Sequence, residues 1–307
     1  VEPLQLNASF IKRPVLSVLR ILTVLSILVG SEPALADEAT SFAATRAQWN
    51  QPAEPFRVIG NIYYVGTDEL AAWLVTTPDG YFLLDGGLPE SAPLIEANIR
   101  KLGFRLADIK FLLNSHAHFD HSGGLAELKQ DTGAQLIASA GDQESLETGT
   151  YLGSEHVIEL SAPPVKVDQL AADGQEFQLG SVAMTAHLTP GHTRGCTTWT
   201  TRVLDMGMPH TVVFYCSTSV ALNRLAPTEQ YPGITADYQR SFGQLVHLSA
   251  DVFLANHKDF FNLWPKRETQ KRGGTNPFIN ATEFHDFVLG SRLEFEQELR
   301  RQQGVEQ

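Results

Sequence analysis

From residue 56 onward, hydrophobic and polar positions come in short alternating blocks. Phe56-Arg57-Val58-Ile59, Ile62-Tyr63-Tyr64-Val65 and residues 71–77 read as strands: short, rich in β-branched and aromatic residues, and bounded by turn formers. Pro78-Asp79-Gly80 predicts a turn into a further strand, Tyr81-Phe82-Leu83-Leu84, which Asp85-Gly86-Gly87 ends. Over residues 89–102 the period changes, and Leu94, Ile95, Ile99 and Leu102 share one helical face. Ile109-Lys110-Phe111-Leu112-Leu113 predicts a buried strand. Ser122-Gly123-Gly124 opens a helix to about Asp131, closed by Thr132-Gly133.

The second half repeats the alternation. Strands are expected at 135–139, 183–188 and 252–255, and helices at 237–248 and 281–301. The last helix carries Phe284, Val288, Phe295 and Leu299 at helical spacing, and Asn280 followed by Glu283 predicts its cap. Hairpin-rich strands interrupted by helices predict an α/β fold, with two sheets packed together and helices outside. No short repeat and no linker between independent domains is visible.

Composition changes this picture little. The chain has 307 residues, 43% hydrophobic and 19% charged, which is globular composition. Its net charge of −12, with no basic run, argues against nucleic acid as a partner. The N-terminus adds more. Lys12, Arg13 and Arg20 precede the apolar stretch 21–29, and Ala34-Leu35-Ala36 follows. This is the pattern of a secretory signal peptide over residues 1–36, cleaved after Ala36 to leave 37–307 in the periplasm. The stretch is shorter than the roughly 20 residues that span a bilayer, so no membrane attachment is expected after cleavage. An N-terminal anchor is the other reading. The two cysteines, Cys196 and Cys216, lie in strand-like segments either side of a turn at Met206-Gly207-Met208-Pro209. In an exported protein an even count points to a disulfide; two buried thiols are the alternative.

The chemistry concentrates in His116-Ala117-His118-Phe119-Asp120-His121, right after the strand at 109–113. In a β-type loop, residues two apart point the same way, so His116 and His118 can close on one metal while Asp120 and His121 turn towards another. His192, after the strand at 183–188, and His257, after the strand at 252–255, also sit at strand ends, where functional loops gather. His116, His118 and His192 would form a three-nitrogen site with an open fourth position, as catalytic zinc requires. Asp120, His121 and His257 would hold a second ion. His156, His187, His210, His247 and His285 read as structural or solvated, and Asp85 as a residue behind the ligands or a turn former.

His-x-His-x-Asp-His, a distant Gly-His-Thr and a last His after a strand resemble the metallo-β-lactamase superfamily. Residues 60–67, Leu83-Leu84-Asp85-Gly86-Gly87, Leu188-Thr189-Pro190-Gly191-His192-Thr193 and Asn276-Pro277-Phe278 extend the likeness to the third subclass of class B metallo-β-lactamases. The resemblance implies an αβ/βα four-layer sandwich, two Zn²⁺ per chain and a monomer. It further implies hydrolysis of a small-molecule β-lactam (penicillins, cephalosporins, carbapenems), and so antibiotic resistance, by a metal-bridging hydroxide, with Asp120 both ligand and catalytic residue. Lactonase and thioesterase members carry a bridging Asp after the strand that here ends Phe214-Tyr215; this chain has Cys216-Ser217-Thr218-Ser219. In the third subclass, Ser217 would contact a metal-bound water and Ser219 the substrate carboxylate. Another hydrolase of the same fold is the main alternative, and a structural zinc protein a second. Serine-type catalysis is the rival chemistry for this substrate and is disfavoured: Ser9-Phe10-Ile11-Lys12 falls in the signal segment and the companion motifs are absent. Specificity is expected from loops near Tyr151-Leu152-Gly153 and Asn223-Arg224-Leu225.

Overall fold

A computed structural model describes residues 42–305, so the signal-peptide reading of residues 1–36, with cleavage after Ala36, lies outside the described residues. The chain divides into residues 1–43, of which only Phe42 and Ala43 are described, and the unit 44–307, to which everything below refers. In this unit helix α1 (residues 44–49) leads into a seven-stranded sheet. Its strands β1 (Phe56–Ile59), β2 (Ile62–Tyr64), β3 (Trp73–Thr77) and β4 (Gly80–Leu84) form an antiparallel meander. Strands β5 (Ile109–Leu113), β6 (Gln135–Ser139) and β7 (Gln169–Ala171) continue it in parallel, in the order β1 to β7.

A second sheet has five strands in the order β12-β11-β10-β9-β8. Strands β8 (Glu176–Leu179), β9 (Val182–Leu188), β10 (Thr197–Asp205) and β11 (Met208–Tyr215) are antiparallel, and β12 (Val252–Ala255) joins in parallel. Among the described residues no helix is long and apolar enough to cross a membrane.

Period-two alternation builds the layers. Trp73, Val75, Phe82, Leu84, Leu113 and Ile137 join the core shared with the second sheet. Their neighbours Leu74, Leu83, Leu112 and Leu136 face the other way. There they meet Ile95 and Ile99 of α2 (Ala92–Lys101) and Leu125 and Leu128 of α4 (Leu125–Thr132). On the second sheet, Phe214 meets Trp73 at 6.0 Å between ring centroids, while adjacent Tyr215 meets Phe287 of α8 (Glu283–Gln302) at 5.4 Å. Helix α6 (Ile234–Leu245) packs beside α8 through Tyr238 and Phe242 on Phe295. The result is the expected αβ/βα sandwich. Fully burying one such side chain is worth about 1.5–3 kcal/mol, so this alternating set supplies much of what fixes the two sheets face to face.

Three local expectations are corrected. The histidine loop is extended only as far as His118 (φ −77°, ψ 148°); Phe119–Ser122 then form one helical turn, α3. Helix α8 starts after Thr282, and Asn280 receives the backbone N–H of Thr282 instead of capping the helix. Three helices, α1 (where a polar leader to about Asn50 was expected), α5 (Gln143–Thr148) and α7 (Leu263–Lys271), and the edge strands β7 and β8 were not expected. Close backbone approach seats the turn between α3 and α4. A Cβ on Gly124 would lie 2.3 Å from the Gly86 carbonyl oxygen, and only glycine permits that contact between the turn and the end of β4.

Candidate metal centre

The two sheets are stitched at one edge. The Thr197 N–H donates to the Ser115 carbonyl (2.8 Å) and the Trp199 indole to the Asn114 carbonyl (3.1 Å). The Cys196–Cys216 disulfide closes the same corner, so the bridged reading holds. Onto this edge come the loop after β5, the loop after β9 with His192, the end of β11 with Ser217 and the end of β12 with His257. Asp85 follows β4 in a left-handed conformation (φ 63°), which a short polar side chain tolerates. Its buried carboxylate accepts from the Ser115 N–H (2.7 Å) and the Asn114 amide (3.3 Å), so it braces the start of the histidine loop.

His116, His118 and His192 converge as expected. Their rings stand 4.7, 4.6 and 4.5 Å apart, and each offers a ligand atom within 4.8 Å of the others. His192 Nδ1 lies 2.7 Å from the Ser219 carbonyl, to which it must donate, so Nε2 is left with its lone pair. His116 places Nδ1 3.1 Å from the Ser115 hydroxyl, and its buried Nε2 has no hydrogen-bond partner among the described residues.

Asp120, His121 and His257 form a second nest. Asp120 Oδ2 is 3.2 Å from His121 Nε2 and 3.4 Å from His257 Nε2, and those two nitrogens are 3.2 Å apart. Tetrahedral zinc with bonds near 2.0–2.1 Å spaces its ligand atoms about 3.3 Å apart. The three donors already stand at that spacing, and the orphaned His116 nitrogen meets the same need beside them, so these residues fit zinc. His116 also offers an atom within 4.8 Å of Asp120 and His121, so the nests adjoin. Residues His156, His187, His210, His247 and His285 take no part; His187 bonds the Thr200 hydroxyl at 2.8 Å.

Burial sets the protonation. It drives His116 and His118 well below the ordinary imidazole value, and His192 down to about 4, leaving neutral ligand-ready rings. Asp120 is also penalised by burial, but His121 and then His257 outweigh this and hold it well below the carboxylate range. Burial works against charge on His257 too, yet Asp120 and Glu69 push it up to about 9, and metal binding would release that proton.

These values give a pH dependence. For His192 the unfolded chain binds a proton between pH 6.5 and 4 that the native metal-free state refuses. Its contribution is full above pH 6.5 and is lost as pH falls, at a cost of about 3 kcal/mol. Asp85 and Asp142, both pushed up to about 6 by burial, act in the opposite sense. The difference in urea stability between chelator-stripped wild type and His192→Gln isolates the histidine. It is expected to narrow by about that amount from pH 7 to pH 4, and a constant difference contradicts the burial argument.

The remaining expected residues lie close by. The Ser219 hydroxyl is 3.3 Å from His192 Nδ1 and half-buried, whereas Ser217 is buried and accepts the Ser219 N–H at 3.1 Å. Ser217 thereby braces Ser219. Sequence reasoning named the loops of Tyr151 and Asn223 for specificity but missed their bracing of the histidines, and it missed Asp142 altogether. Tyr151 stacks on His118 at 4.4 Å and 13°. Asn223 receives the Tyr151 hydroxyl (3.2 Å) and donates to the His192 carbonyl (2.8 Å). Asp142 accepts from Ala117 N–H, the Thr193 hydroxyl and Gly195 N–H, at 3.0, 2.8 and 2.8 Å. A pocket beside His118 and His192 is lined by Tyr151, Leu152, Arg194, Asn223 and Gln230, where specificity was expected to reside.

Comparison with known proteins agrees with this geometry. Residues 66–203 match the family model described as the metallo-beta-lactamase superfamily. The solved structure of BJP-1, a subclass B3 metallo-beta-lactamase of Bradyrhizobium japonicum, is 43% identical, with a TM-score of 0.82 over 84% of this chain and 97% of that one. Native FEZ-1 metallo-beta-lactamase from Legionella gormanii is 38% identical, with a TM-score of 0.80 over 83% of this chain and 98% of that one. Among curated relatives, the hydroxyacylglutathione hydrolase of Methylococcus capsulatus is 33% identical over 105 residues, 34% of this chain and 32% of that protein. The chain thus spans about a third of the length of the curated relatives it matches. By its donor nests, its layers and these likenesses, the chain belongs to the metallo-β-lactamase superfamily, where its structure stands beside the subclass B3 members.

Proposed function

We propose that this protein is an exported hydrolase that opens β-lactam rings in the periplasm, acting as a monomer with two zinc ions. His116, His118 and His192 would hold one ion, and Asp120, His121 and His257 the other. Bound zinc supplies an acidified water near neutral pH and a Lewis-acid pull on a carbonyl.

The reaction adds a water oxygen to the lactam carbonyl carbon, breaks the C–N bond and delivers a proton to the nitrogen. Asp120, buried and ionised where the nests meet, orients that water and takes part in its proton transfer. The Ser219 hydroxyl, beside His192, binds the substrate carboxylate, and Ser217 fixes its direction. Tyr151, flat on His118, walls the approach and excludes water from that ring.

One observation carries the lactam reading over a thioester or lactone. Strand β11 ends on Cys216, tied into a disulfide, and then Ser217, so the one carboxylate in the candidate metal groups among the described residues is Asp120. The likeness to subclass B3 structures over 97% of BJP-1, against a third of the hydroxyacylglutathione hydrolases, supports the same choice.

The test uses the chain from Asp37 with a chromogenic cephalosporin, a carbapenem and an S-acyl glutathione thioester. Lactam turnover that a chelator abolishes and zinc restores, with little thioester turnover, is expected. Thioester hydrolysis without lactam hydrolysis would reverse the assignment.

A further inference from the structure

We propose that Glu69 is a positioning residue that fixes the orientation and tautomer of His257, and through it the affinity of the second metal nest. The inference rests on the two-nest reading above and adds a residue outside both nests.

His257 uses its two ring nitrogens differently. Nε2 faces Asp120 and His121, at 3.4 and 3.2 Å. Nδ1 faces Glu69 Oε1 at 3.6 Å, an ion-pair distance beyond a full hydrogen bond. A carboxylate only accepts, so the proton of a neutral His257 belongs on Nδ1 and the lone pair on Nε2, towards the nest.

Glu69 is itself held from behind. Its other oxygen, Oε2, lies 3.1 Å from Lys258 Nζ, which also donates to Asp68 Oδ2 at 2.7 Å. The Asp68 carbonyl in turn receives the Trp264 indole N–H at 2.9 Å. Each Glu69 oxygen thus has one partner, and the carboxylate cannot turn from His257 without breaking its pair with Lys258.

The backbone is fixed in the same register. Lys258 N–H donates to the Glu69 carbonyl (3.1 Å), Ala71 N–H to the Asn256 carbonyl (2.9 Å), and Leu70 bridges His257 antiparallel. The strap 68–71, between β2 and β3, is therefore sewn onto the ligand-bearing segment 256–258. This matters because His257 is the half-buried, least enclosed donor of its nest, while Asp120 and His121 are buried. Partners behind a ligating histidine typically change metal affinity about 10–100-fold when removed.

Zinc is titrated into metal-free wild type, Glu69→Gln and Glu69→Asp in competition with a chromogenic chelator, and cobalt spectra are recorded in parallel. Wild type is expected to take two ions. Glu69→Gln keeps the first affinity, weakens the second about 10–100-fold and alters the cobalt bands of the second ion. Glu69→Asp, with the charge drawn back by one methylene, falls between them. Two unchanged affinities in Glu69→Gln overturn the proposal and leave the two-nest reading standing. Equal weakening of both overturns it in favour of a general structural role. A wild type that takes a single ion overturns the two-nest reading, and this proposal with it.

Discussion

Zinc-loaded Asp120→Ala is expected to hydrolyse β-lactams about 10²–10⁴-fold more slowly than wild type, the range typical of losing a positioned proton-transfer group. Asp120 is 7% exposed and held ionised, and its Oδ2 stands within 3.4 Å of two imidazole nitrogens. Alanine removes the anionic donor of the second nest and leaves His121 and His257 facing each other at 3.2 Å. Two effects can follow, loss of the ion and loss of orientation at the reacting water, and metal content separates them. Asp120→Asn keeps an oxygen donor of nearly the same shape without the charge. If Asn restores metal content but leaves turnover low, the charge acts on the water. The measurements are kcat and bound zinc on the same sample. Full turnover by a loaded Asp120→Ala removes Asp120 from the mechanism.

The sequence exposed the donors better than their supports. His116 and His118 lie on one side because the backbone stays extended through His118, which strand alternation anticipates. Asp120 and His121 reach the second nest for another reason. One helical turn at Phe119–Ser122 rotates successive side chains by about 100°, so the two adjacent residues fan round to converge with His257. The alternation argument named residues that do converge, but through the wrong local geometry.

The layers were legible for a similar reason, because Trp73 and Leu74, or Phe82 and Leu83, alternate between two apolar surroundings. Strand β7 was not, since Gln169-Leu170-Ala171 is only three residues long, lies at a sheet edge and buries only Ala171, so no alternation shows. Helix α7 escaped because it buries little besides Leu263 and so shows no strong face.

Support residues give weaker signals still. Asp142 follows a strand, like every donor loop here, and that placement could have flagged it. The loops of Tyr151 and Asn223 were expected to set specificity, but their bracing of His118 and His192, like the approach of Glu69 to His257, depends on tertiary packing, which no local period encodes.

Asp142→Ala is expected to cost the metal-free protein about 3–5 kcal/mol of stability and to weaken the three-histidine nest in the same variant. The carboxylate is 2% exposed and satisfies three donors on two loops. Ala117 lies between His116 and His118; Thr193 and Gly195 follow His192. Asp142 therefore ties together the two loops that must meet for the first nest to form. Alanine strands all three donors, each worth about 1–3 kcal/mol when buried without a partner, and a water entering the vacated space recovers only part. Asp142→Asn tests the same geometry without a cavity. With its amide oxygen at the position that receives Ala117 and Thr193, its NH₂ points at the Gly195 N–H, and two donors face each other. Urea unfolding of the stripped variants gives the stability, and chelator competition the affinity of the first ion. A variant that unfolds within about 1 kcal/mol of wild type shows that water replaces the carboxylate fully. Stability lost with first-site affinity unchanged shows that the two loops hold their register without it. The contrast with Asp120 is sharp: loss of Asp120 strikes turnover on an intact scaffold, whereas loss of Asp142 strikes the scaffold that brings the histidines together.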